Sequence, residues 1–106
     1  MTYLAWLIFL GAAILEVCGD AVVRKGLRGK SLFAILSGCA MLGCYGVVVN
    51  TVKWDFSRLL GVYVSVFALI SVLFGRLIFK ERIPNATWVG LAIMIVGGLI
   101  IQFGKK

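Results

Sequence analysis

The sequence predicts an all-α fold: a single domain of four transmembrane helices in an integral membrane protein. Three observations carry that prediction. Of 106 residues, 62% are hydrophobic and the mean hydropathy is +1.09, more apolar surface than a soluble domain this size can hide. Four apolar runs of 17 to 22 residues divide the chain, and a helix needs roughly 20 residues to cross about 30 Å of hydrocarbon. Nearly all the charge lies in the short gaps between the runs.

The first helix is expected over about 3–23. It has no basic leading region and carries two acids near its end, so it reads as a retained span and not as a cleaved signal. The second is expected over 31–52, where Gly38, Gly43 and Gly46 allow close backbone approach. Its polar candidates are Tyr45 and Asn50, which interfacial positions would equally explain. The third is expected over 59–79, with a bulky face through Leu60, Tyr63, Phe67, Ile70 and Phe74. Tyr63 is placed either to hydrogen-bond a carboxylate or to sit at the membrane surface. The fourth is expected over 87–103 and contains no charge. Gly90, Gly97 and Gly104 repeat every seven residues there, with Gly98 adjacent. Such a stripe suits a dimer interface, or packing within one subunit. The gaps are Arg24–Lys30, Lys53–Arg58 and Lys80–Ala86, and Pro84, the only proline, ends the third helix and sets up the fourth.

Gaps this short leave almost nothing in water, so function must lie within the bilayer or pass through a partner. The net charge of +7 comes from basic residues at helix ends, where headgroup anchors belong. No basic stripe with interleaved aromatics points to nucleic acid. An enzyme is not expected, for there is no His and no exposed acid–base pair. Cys18, Cys39 and Cys44 fall inside helices and read as small packing residues. Neither a metal nor a cofactor is expected. Asn85-Ala86-Thr87 matches a glycosylation pattern in a loop too short to use it.

Four short-linked spans put both termini on one side. The first and third gaps and their borders hold Arg24, Lys25, Arg28, Lys30, Arg76, Lys80 and Arg82, against Lys53, Arg58, Lys105 and Lys106 on the other side. The positive-inside rule mildly favours termini outside, a bias weak enough to permit insertion in both orientations.

Glu16 sits well inside the first apolar run, where a charge costs at least ~2.5–3.5 kcal/mol and rarely persists without a use. Trp6, Phe9, Ala13, Glu16 and Asp20 recur at three- and four-residue steps and form one helix face. Ala12 and Gly19 flank it with small side chains. Aromatic rings beside a carboxylate suit organic cations. No Lys or Arg lies three or four residues from Glu16, whereas Arg24 stands at ion-pair spacing from Asp20, which is therefore either functional or a pairing acid. A carboxylate withdrawn from water favours its protonated form. It holds a cation when ionised and releases it when protonated, which is sufficient chemistry for exchanging cations against protons.

With these residues in view the sequence resembles the small multidrug resistance family of four-helix transporters, in the drug/metabolite transporter superfamily. The segment Ala13-Ile14-Leu15-Glu16-Val17-Cys18-Gly19 resembles the stretch around that family's essential glutamate. Gly90 to Ile101 is similar to its dimerising helix, and Lys80-Glu81-Arg82 resembles a turn of the wider superfamily. The resemblance implies an antiparallel homodimer in the bacterial inner membrane, or a heterodimer with a homologous subunit. Glu16 of each subunit would be shared between protons and a small cationic substrate. Trp6, Phe9, Ala12, Ala13, Asp20 and Tyr63 would line the pocket. The third helix departs from the family: Phe67 replaces a glycine, the usual Ala-Tyr-Ala motif is absent, and Tyr63 falls where the family has a tryptophan. Asp20 stands where a small hydroxyl residue is common. The added acid would favour a more highly charged substrate such as a polyamine, a metal ion or a second proton.

The expectation is thus a proton-coupled antiporter of small organic cations. The alternative is half of a paired carrier for a metabolite or lipid-linked group, which would need a second gene product. A non-transporting membrane subunit is the third reading, and it predicts that Glu16→Gln leaves function intact.

Overall fold

The computed structural model describes residues 2–104. Lys105 and Lys106, the basic tail of the orientation tally, lie outside the described residues. The described chain is four helices: α1 (Thr2–Gly29), α2 (Leu32–Val49), α3 (Phe56–Leu77) and α4 (Asn85–Phe103). All four are long and apolar enough to cross a membrane, and no strand forms among the described residues. They fall into two compact units, 1–52 and 53–106. In each, two consecutive helices pack as a hairpin.

The first hairpin is held by glycines. In lipid, helices associate through van der Waals packing, because the tails are as apolar as the side chains. Gly19 and Gly26 of α1 lie against Leu42 and Ile35 of α2, and Gly38 of α2 lies against Val23 and the Gly19 carbonyl. A methyl group on Gly38 would stand 2.7 Å from the Gly19 oxygen and 2.8 Å from the Val23 nitrogen. Gly26 explains the main departure from the expected bounds. α1 continues six residues beyond Val23 because this glycine is a contact point with Ile35 and not a helix breaker. At 28 residues α1 is about 42 Å long, more than the hydrocarbon needs, so its end carries Arg24, Lys25 and Arg28 into the headgroups. Lys30 then reverses the chain with φ 56°, and the Ser31 amide donates to the Gly26 carbonyl at 2.8 Å. Ser31 caps α2, its hydroxyl oxygen accepting from the Ala34 amide at 3.2 Å. α2 stops three residues short of Val52. There the Asn50 side-chain Nδ2 donates to the Gly46 carbonyl and the Thr51 hydroxyl to the Val48 carbonyl, engaging carbonyls at the end of the helix.

In the second hairpin α3 begins at Phe56, three residues before the expected start, behind Asp55 at the N-cap. Leu59, Val62, Tyr63, Ser65, Ala68, Ile70 and Gly75 are its buried positions, and Leu91, Gly98 and Gln102 are those of α4. Gly98 seats on Ser65, whose hydroxyl donates to the Val62 carbonyl at 2.8 Å. At the open end of the hairpin Arg58 Nη2 donates to Gln102 Oε1 at 2.8 Å, and the guanidinium lies 4.0 Å from the centre of the Trp54 ring. This pairing fastens the start of α3 to the end of α4. Pro84 stands at the N-cap of α4, which starts at Asn85, two residues before the expected start at 87.

Candidate functional site

The predicted face of α1 survives as a graded strip. Phe9 and Ala13 are fully buried, Trp6 and Glu16 are half-buried, and Asp20 is exposed. Trp6 meets Phe9 edge-on, with ring centres 6.1 Å apart and planes at 81°, the favourable geometry for two quadrupoles. The strip therefore runs from a packed aromatic pair, past the small Ala13, to a half-buried carboxylate and then an open one. Ala12 is buried beside it and Gly19 lies in the seam with α2.

Helix α2 supplies a third polar group. The phenol of Tyr45 lies near enough to Glu16 and Asp20 to feel the charge of both. Its placement follows from the glycine seam. Gly38 packs on Val23 and Gly19, Leu42 packs on Gly19, and Tyr45 continues that stripe at the next three-residue step. In the sequence Tyr45 is a polar candidate of the second helix or an interfacial residue. The 38–42–45–49 spacing, ending in the buried Val49, is the signal that favours the inward position. Two carboxylates and a phenol, on the first two helices of one hairpin, can receive a cation by charge and by hydrogen bond.

The remaining candidates belong to the second hairpin. Tyr63 is buried, at 3% exposure, with its ring centre 6.3 Å from that of Phe67. The α4 glycines divide. Gly90 and Gly97 have open space where a side chain would be, whereas Gly98 is used inside the hairpin against Ser65. Gly104 closes the helix, its amide donating to the Ile100 carbonyl at 2.7 Å. Among the described residues, no group of three or more His, Cys, Asp or Glu side chains is placed to hold a metal ion. Cys18, Cys39 and Cys44 are free thiols.

Comparison with known proteins places this arrangement in a family. The family model described as "Uncharacterised BCR, YnfA/UPF0060 family" matches residues 3–106. A UPF0060 membrane protein of Nocardia farcinica is 33% identical, covering 100% of this chain and 98% of the relative. One of Desulfitobacterium hafniense is 32% identical over 98% of each. One of Bacillus subtilis is 28% identical over 100% of this chain and 99% of the relative. No solved structure matches the chain.

Proposed function

The chain belongs to the YnfA/UPF0060 family of multi-pass membrane proteins, and we propose that it is a proton-coupled antiporter of small organic cations. One observation supports this reading above the others: Glu16 and Asp20 lie on one face of a membrane helix with the Tyr45 phenol within electrostatic reach. Carboxylates at such depth line ion and proton paths far more often than they serve packing. Ionised Glu16 binds the cation, and protons arriving from the opposite side displace it. Trp6, half-buried and backed by the buried Phe9 ring, offers its ring face to the cation. The similarity to the small multidrug resistance pattern around Glu16 supports the same chemistry. So does the weak charge bias, which permits an antiparallel pair of identical chains.

The test is solute-driven current from purified protein in proteoliposomes, with guanidinium, quaternary ammonium and polyamine cations in turn. A current carried by any of these, coupled to proton movement, supports the reading. Absence of both current and internal pH change across the panel, from folded protein, overturns it and favours a carrier that needs a second subunit. The pH readout is needed because one-for-one exchange of a proton for a monovalent cation carries no current. Tyr45→Phe keeps the ring and removes the hydroxyl, and is expected to weaken cation affinity by about tenfold or more, the worth of one hydrogen bond to a charged group. Substrate titration of the current reads that loss.

Dimer formation has its own prediction. Gly97 offers open space on α4 and Gly98 does not. Gly97→Leu is expected to shift crosslinked dimer to monomer while each chain stays folded. Gly98→Leu should instead lower the unfolding midpoint, because it collides with Ser65 inside the hairpin. Full dimer in Gly97→Leu would move the interface away from this stripe.

A further inference from the structure

The turn between α3 and α4 is more elaborate than a connection requires. It builds a cleft of about 340 Å³ lined by Arg76, Lys80, Glu81, Arg82, Ile83 and Trp88, within the size range of small-molecule sites, ~300–1,000 Å³. Three cations face one carboxylate there. The backbone is fixed by bonds running back into α3: the Ile78 and Phe79 amides donate to the Phe74 carbonyl, and the Glu81 amide donates to the Gly75 carbonyl at 2.9 Å. Lys80 is held at φ 55°, the left-handed region that a side chain enters at a cost of roughly 1–2 kcal/mol. Lys30 makes the same reversal after α1 at φ 56°. Glu81 folds its carboxylate against Gly75, where a β-carbon would stand 2.5 Å from the Oε1 oxygen. A larger residue at 75 would displace it.

The position of the cleft indicates its ligand. It joins the last turn of α3 to the first turn of α4, two helices that cross the membrane, so it lies at headgroup depth. Trp88 is the kind of residue that marks this depth. Leu77, Ile78 and Val89 beside it are exposed and apolar, fit for acyl chains. Arginine and lysine in a preformed concavity match the oxygens of a phosphate. We propose that this turn binds the phosphodiester headgroup of an anionic glycerophospholipid, a site separate from the carboxylates of the first hairpin.

Trp88 provides the readout. In a Trp6→Phe, Trp54→Phe chain it is the single tryptophan, and lipids brominated on their acyl chains quench it when they occupy the cleft. Brominated phosphatidylglycerol is expected to quench at several-fold lower mole fraction than brominated phosphatidylcholine. Lys80→Gln with Arg82→Gln should reduce that preference by about fivefold or more. Both positions lie outside the helices and are exposed, so folding is retained, and circular dichroism checks it. Arg28→Gln with Lys30→Gln removes equal charge from the other hairpin and should leave the preference unchanged. Equal quenching by both lipids overturns the proposal. So does an equal loss in the control variant, which would indicate diffuse surface attraction. Inorganic phosphate perturbing Trp88 saturably at micromolar concentration in phosphatidylcholine bilayers would assign the cleft to a soluble anion and overturn the lipid assignment. None of these outcomes depends on transport.

Discussion

Glu16→Gln is expected to abolish proton-coupled cation current, by ~100-fold or more, while the protein remains folded. The substitution keeps the shape of the side chain and removes the charge together with the capacity to exchange a proton. The substrate then loses its counter-charge, and removing one member of a desolvated ion pair costs about 3–5 kcal/mol, which is the source of that factor. Stability should move the opposite way. An amide is cheaper than a carboxylate at this depth, so the variant should unfold at an equal or higher denaturant concentration. Lost current with undiminished stability is the combination that a packing acid cannot produce. Current from Glu16→Gln that is still coupled to protons would overturn the mechanism. Asp20→Asn is expected to have a smaller effect, because Asp20 is exposed whereas Glu16 is half-buried.

The number of spans and their rough bounds were legible because 3.6-residue helices and a hydrocarbon layer together constrain composition so tightly. The ends were less legible. Gly26 reads as a breaker among basic residues, yet it lies within α1 because Ile35 needs the space. Asn50 and Thr51 read as a continuation of α2, yet their side chains bond back to Gly46 and Val48 and stop it. Within the candidate site, the strip from Trp6 to Asp20 was visible as a helical period. What periodicity could not supply was its partner on α2. Tyr45 has the same sequence signature as an interfacial tyrosine, and only the docking of Gly38 and Leu42 against α1 sets which way it faces. The glycine stripe of α4 shows the same limit: Gly97 and Gly98 are neighbours in sequence, and packing alone makes one open and the other closed.

The close approach of α1 and α2 carries the second large prediction. Gly38→Ala is expected to destabilise the first hairpin by about 2 kcal/mol or more, whereas Gly43→Ala is expected to be neutral or stabilising. At 38 the new methyl would lie 2.5 Å from Val23 Cγ2, 2.7 Å from the Gly19 oxygen and 2.8 Å from the Val23 nitrogen. The first contact could be relieved by a rotamer change, but the other two are with backbone, so the helices must separate. Separation loosens the contacts of Gly19 and Leu42 and forfeits packing that lipid does not replace. At 43 nothing lies within 4 Å of the added carbon, and alanine is the better helix former by ~0.5–1 kcal/mol. The two substitutions are chemically identical and five residues apart on one helix, so opposite signs report the seam and nothing else. Denaturant titration in mixed micelles measures both. Equal shifts would mean that α1 and α2 do not meet at Gly38. The expected separation also reaches the site, since Tyr45 is carried toward Glu16 and Asp20 by the same stripe of α2. Gly38→Ala should therefore weaken cation affinity in whatever fraction stays folded, and Gly43→Ala should leave it unchanged.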